Sequence, residues 1–108
     1  MTLRETLKYD EENGSLILGI GFAQNLCSVA GELSAYAGIC GSYIDAIHQW
    51  MTHNVDSIDE CENHKYVGYT VHVGERQYRL VVPVWAMDKE VSDWKHAKNL
   101  FNKMLRVV

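Results

Sequence analysis

Four side chains that can ligate a metal crowd one stretch of this chain: His48, His53, Cys61 and His64 fall within 17 residues. Thiolate and imidazole suit zinc, and Cys61-x-x-His64 has a chelating spacing. His48 and His53, however, are five apart, which sets them about 140° apart around a helix. A structural zinc site takes two tight ligand pairs and this stretch offers one, so the expectation is polar side chains around a loop, with no metal and no cofactor.

Other chemistry fares no better. Cys61 with His64 or His72 is the one thiol–base pair a nucleophilic mechanism could use, but no nucleophile elbow or oxyanion-type glycine loop accompanies it. Asp56, Asp59, Glu60 and Glu62 offer carboxylates to calcium without the ligand order or the glycine of an EF-hand loop. Gly19-Ile20-Gly21 precedes a helix start, as a phosphate cradle does, yet the third glycine and the Lys-Ser/Thr step are missing. Without a catalytic or nucleotide-binding motif, the chain reads as a protein that binds rather than reacts.

Two surfaces suit binding. The acidic positions Asp56, Asp59, Glu60 and Glu62 would steer a basic partner, and Tyr66, Arg79 and Trp85 on the outward side of a hairpin are types enriched at hot spots. Gly31, Ala35, Gly38 and Ser42 form a stripe of small residues along which two helices can pack closely, the expected interface of a homodimer. The leading expectation is a small non-enzymatic protein acting by stoichiometric protein–protein interaction, of the inhibitor, immunity or anti-defence type. The alternative is a homodimer that binds a small molecule, or a small enzyme, with Tyr69, His72 or Cys61 in a pocket between sheet and long helix.

The elements expected to position these residues follow from periodicity. Phe22, Leu26, Val29, Leu33, Tyr36, Cys40, Ile44, Ile47 and Met51 recur at steps of three and four, predicting one helix over 22–53, with Gly38 to Gly41 as its weak point. Thr2 to Tyr9 alternates, Ser15 to Ile20 is apolar, and Asn13-Gly14 lies between, predicting a β-hairpin. Asn54 to Lys65 reads as a polar surface loop. Tyr66 to Val73 and Gln77 to Ala86 alternate in matching phase about Gly74, the clearest hairpin, and Asp88 is the expected N-cap of a last amphipathic helix. The order ββαββα implies an α+β fold, an antiparallel sheet of about four strands with two helices packed on one face.

Composition bounds the rest. With 108 residues the chain forms one domain, 1–108, and 47% apolar against 22% charged residues marks a globular protein. Residues 1–65 carry ten acids and three bases (−7), residues 66–108 four acids and seven bases (+3), giving the net −4. No dominant basic footprint exists, so nucleic acid is not an expected partner. The N-terminus lacks a signal peptide's apolar core, and Gln24, Asn25, Glu32 and Asp45 interrupt the one stretch long enough to span a bilayer. A cytoplasmic protein with reduced Cys27, Cys40 and Cys61 and no membrane partner is expected.

Overall fold

Thr2 starts a helix, not a strand. Its hydroxyl accepts from the Glu5 N–H (3.1 Å) while the Glu5 carboxylate accepts from the Thr2 N–H (3.0 Å), a reciprocal cap that opens α1, Leu3–Tyr9. The alternating leucines of this segment also stand four apart, and the helical reading puts Leu3 in the core. Asp10 then caps α2, Glu11–Asn25, accepting from the backbone N–H of Asn13 at 3.2 Å and its side-chain amide at 2.8 Å. The expected N-terminal hairpin is therefore two helices, with Asn13-Gly14 in the first turn of the second. The computed structural model describes residues 1–108, Met1 to Val108.

The expected helix over 22–53 is three helical segments. Leu26 takes an extended conformation and separates α2 from α3, Cys27–Cys40; Gly41, with φ of 74°, ends α3. Ser42 then caps α4, Tyr43–Asn54, accepting from the Asp45 N–H at 3.4 Å. A left-handed glycine followed by a serine cap is a stop signal and a start signal in sequence, and together they turn the chain back on itself. The apolar phase survives because a helical wheel records angle about an axis and not the axis direction. Glu32 and Trp50 measure the difference: in one straight helix they would stand about 27 Å apart, whereas a carboxylate oxygen of Glu32 lies 2.6 Å from the Trp50 indole nitrogen.

After α4 the chain passes straight into an antiparallel sheet of order β1-β2-β3-β4: Val55–Cys61, Tyr66–Val73, Arg76–Pro83 and Arg106–Val107. The segment expected as a polar loop is thus mostly edge strand β1, followed by a tight turn in which Glu62, Asn63 and His64 all have positive φ. The β2–β3 hairpin pairs Tyr66–Val73 with Arg76–Pro83 and is closed by Gly74 at φ 62°; its second strand, expected to run to Ala86, stops at Pro83, which has no N–H to extend the ladder, and Val84–Met87 is helical. After β3 come a short α5, Val84–Met87, and α6, Trp94–Met104, capped by Asp93 rather than Asp88. The order is α1-α2-α3-α4-β1-β2-β3-α5-α6-β4, so the α+β class and the four-stranded antiparallel sheet stand while ββαββα and the two-helix packing give way to six helices.

One face of the sheet, carrying Val67, Tyr69, Val71, Leu80 and Val82, meets Ile17, Phe22, Trp50 and Phe101 from α2, α4 and α6. Trp50, Phe22, Tyr69 and Phe101 form a tilted chain with centroids 6.1, 5.5 and 6.1 Å apart. Burying each contributes about 1.5–3 kcal/mol plus a smaller term for ring geometry. Among the helical glycines the close approaches fall in α2, from backbone at Gly14 and from side chains at Gly19 and Gly21. A Cβ on Gly14 would sit 2.6 Å from the Leu7 carbonyl oxygen, and one on Gly19 or Gly21 would strike Ile47 or Phe101 within 3.0 Å. No helix is long and apolar enough to cross a membrane.

Candidate functional site

The face of the sheet away from the core is a grid of polar side chains, set there by the strand period of two. Arg79 of β3 lies over Gly68 of β2, where any Cβ would collide with its guanidinium, and reaches across to β1. There it grips both carboxylate oxygens of Asp59 and donates to Thr70 Oγ1 at 2.9 Å. Hydrogen bonds from Arg79 hold the Asp59 carboxyl below the usual range, and Asp59 in turn raises Arg79. One row further along, Asp56 accepts from Gln77 at 3.1 Å and meets His72 Nδ1 at 2.8 Å; these two partners, Gln77 first, lower its pKa.

The positions expected to meet a partner are therefore dispersed in role. Asp56 and Asp59 are tied into the sheet. Glu60 faces the other way, 3.0 Å from His64 and 3.6 Å from Arg4, which leaves Glu62, in the turn, without an ion pair. Tyr66 is half-buried opposite Pro83 at the strand end. Trp85, expected on the outward side of the hairpin, lies instead on α5, past the end of β3, and is 61% exposed. His48 faces Ser15 at 3.4 Å, away from the Cys61–His64 turn, and nowhere do three His, Cys, Asp or Glu side chains converge as a metal site would require.

The second candidate surface is the outside of α3. Gly31, Ala35 and Gly38 lie exposed along it, Ser42 at its end is half-buried as the α4 cap, and nothing in the chain comes within 4 Å of a Cβ built on Gly31 or Gly38. Ile39 beside them is 85% exposed. The single charge of α3, Glu32, turns inward to accept from Trp50 Nε1 and, at 3.2 Å, from the Asn54 amide, which also donates to the His72 carbonyl at 2.9 Å. These groups floor an open polar recess of about 520 Å³ flanked by Tyr36 and His53. In the sequence Glu32 figures only as a break in an apolar stretch; its signal is to be the one charge in the fourteen residues of α3.

A third feature is an apolar groove of about 330 Å³ between α1 and the sheet, with Arg4 and Lys8 on it and Tyr69 within it. Reading α1 as a strand hid it, since only a helix sets Arg4, Leu7 and Lys8 on one side. No family model matches the chain, and neither a curated protein nor a solved structure matches it. What the fold and surfaces define is an α+β protein with one uncharged helix face, one open polar sheet face and a small amphipathic groove.

Proposed function

We propose that the protein acts in the cytoplasm by stoichiometric binding of a protein partner, as an inhibitor, immunity or anti-defence protein does, with the outer face of α3 at the centre of the contact. One observation carries this: every exposed side chain of α3 is uncharged, and its one carboxylate is turned inward onto Trp50. Covering such a face strips no ion of water, the expensive part of burying a surface. The glycines point the same way. Gly31 and Gly38 each cost about 1 kcal/mol in a helix interior, and no neighbour within the chain requires them. A surface approaching from outside supplies the missing requirement.

The acids Asp56, Asp59, Glu60 and Glu62, with Tyr66, Arg79 and Trp85, form a second zone that steers approach more than it anchors, because three of the four acids already have partners. A homodimer through the same helix is the other reading, favoured by Gly31, Ala35 and Gly38, whose spacing of four and three gives a stripe that can pack on its own copy about a two-fold axis. The deciding experiment purifies tagged wild-type and Ala35→Arg protein from the native host for native mass spectrometry. One protein partner at unit stoichiometry, lost in the variant with an unchanged melting temperature, supports the proposal; a doubled mass lost the same way supports the homodimer. A monomer with no partner, or a partner retained by both Ala35→Arg and Gly31→Arg, removes α3 from the account.

A further inference from the structure

Tyr69 has a hydroxyl that its packing does not need. The residue is 3% exposed, and its ring meets Phe22 and Phe101 edge to face, contacts a phenylalanine would make equally well. Yet the hydroxyl makes no hydrogen bond within the chain, and the Arg4 guanidinium lies near enough to act on it. The oxygen is not sealed off, since Asn102 Oδ1 is the one fully buried side-chain polar atom without a partner; the hydroxyl is therefore open to a partner from outside the chain. Tyr69 lines the groove under α1, where Leu7, Leu18 and the 59% exposed Ile58 supply apolar walls.

The groove's charges have one sign. Arg4 and Lys8 line it and no acid does. Arg4 is steadied from outside the groove by Asp88, 3.0 Å from Nε, and by Glu60, 3.6 Å from Nη1, which leaves Nη2 uncommitted. Lys8 has no ion pair at all, only the Tyr9 ring at 5.3 Å. An un-ionised phenol donates a hydrogen bond, and two cations without a lining carboxylate favour an acceptor that is negatively charged. The apolar walls ask for a tail.

We propose that this groove binds a small aliphatic carboxylate of about ten non-hydrogen atoms, the number its volume holds at roughly 30 Å³ for each water-sized unit. The carboxylate accepts from the Tyr69 hydroxyl and Arg4 Nη2 with Lys8 close by, and the tail covers Ile58 and Leu7. No residue of α3 lines the groove, so this site stands or falls independently of the protein contact proposed above.

The test titrates the full chain with octanoate, octanol and octylamine and follows backbone amides by NMR. Octanoate is expected to saturate with a Kd below about 1 mM, to move the amides around Leu7, Ile58 and Tyr69, and to bind at least about tenfold more tightly than the alcohol or the amine. Tyr69→Phe, which keeps the packed ring, should weaken octanoate about tenfold. Lys8→Glu changes an exposed side chain that makes no ion pair and should weaken octanoate while leaving octanol unchanged. Absence of saturation by about 5 mM octanoate, a range well above the expected Kd, overturns the proposal. So does equal binding of all three ligands, which would mark a slot for an apolar side chain of a partner, or octanoate binding unaffected by both variants.

Discussion

Two glycine-to-alanine substitutions, both inside helices, should move stability in opposite directions. At Gly31 an added methyl enters open space, and replacing a helix-interior glycine by alanine gains about 0.5–1 kcal/mol. At Gly14 the same methyl lands 2.6 Å from the carbonyl oxygen of Leu7 and 2.9 Å from that of Thr6. Both atoms are backbone of α1, held by its cap at Thr2 and by the Leu3 N–H bond to the Lys89 carbonyl, so they cannot swing aside as a side chain would. Overpacking of this kind costs about 1–3 kcal/mol, more than the propensity gain. At about 4 °C per kcal/mol for a chain of this size, Gly31→Ala should raise the melting temperature by about 2–4 °C and Gly14→Ala should lower it. Thermal unfolding followed by circular dichroism, at a concentration where the chain is monomeric, reads both. A rise for Gly14→Ala would refute the α1–α2 packing and revive the turn that Asn13-Gly14 suggests in sequence.

Three further outcomes follow from the same geometry. Glu62 has a left-handed backbone, φ 53°, so Glu62→Gly should stabilise the chain by about 1 kcal/mol in chemical denaturation, and a loss would contradict the turn. Glu32→Ala leaves the buried Trp50 indole N–H unpaired and should cost about 1–3 kcal/mol with a shift of that indole proton in NMR; unchanged stability would sever the Glu32–Trp50 link. Asp56 and Asp59 have depressed pKa values, so their contribution is present above about pH 4 and lost as pH falls through the folded-state values. Melting temperatures between about pH 2 and pH 6 should fall less steeply for Asp56→Asn with Asp59→Asn than for wild type, and identical slopes would show those pairs to be inert.

The β2–β3 hairpin was legible as far as Pro83 because alternation, a central glycine and matched apolar faces all agree; beyond it the alternation runs on to Ala86 while the chain turns helical at Val84. The N-terminus was not. Leu3, Glu5 and Leu7 fit a strand period of two, while Thr2-x-x-Glu5 and Asp10-x-x-Asn13 fit helix caps; the caps win because each satisfies backbone donors that a two-stranded ribbon would leave to water. The apolar face of the central region is legible in Phe22, Val29, Leu33 and Ile47, all fully buried. Its reversal at Gly41-Ser42 was invisible to periodicity and visible only to capping chemistry.

The same ambiguity shaped the candidate sites. Close packing against small residues is expected on the stripe at Gly31 and Gly38, whereas inside the chain it occurs at Gly14, Gly19 and Gly21 of α2, which in sequence suggest a hairpin turn and an incomplete phosphate cradle. Asp56 and Asp59 were visible as acids, but their pairing with His72, Gln77 and Arg79 depends on a strand where a loop was expected.

The α3 contact is tested most directly by placing a photo-activated crosslinking residue at Ala35 and, separately, at the exposed Lys95 of α6, then irradiating the native host cells. The account predicts one discrete adduct from position 35, of a size set by the partner, and none of that size from position 95. No adduct at position 35, or the same adduct from both positions, would contradict it.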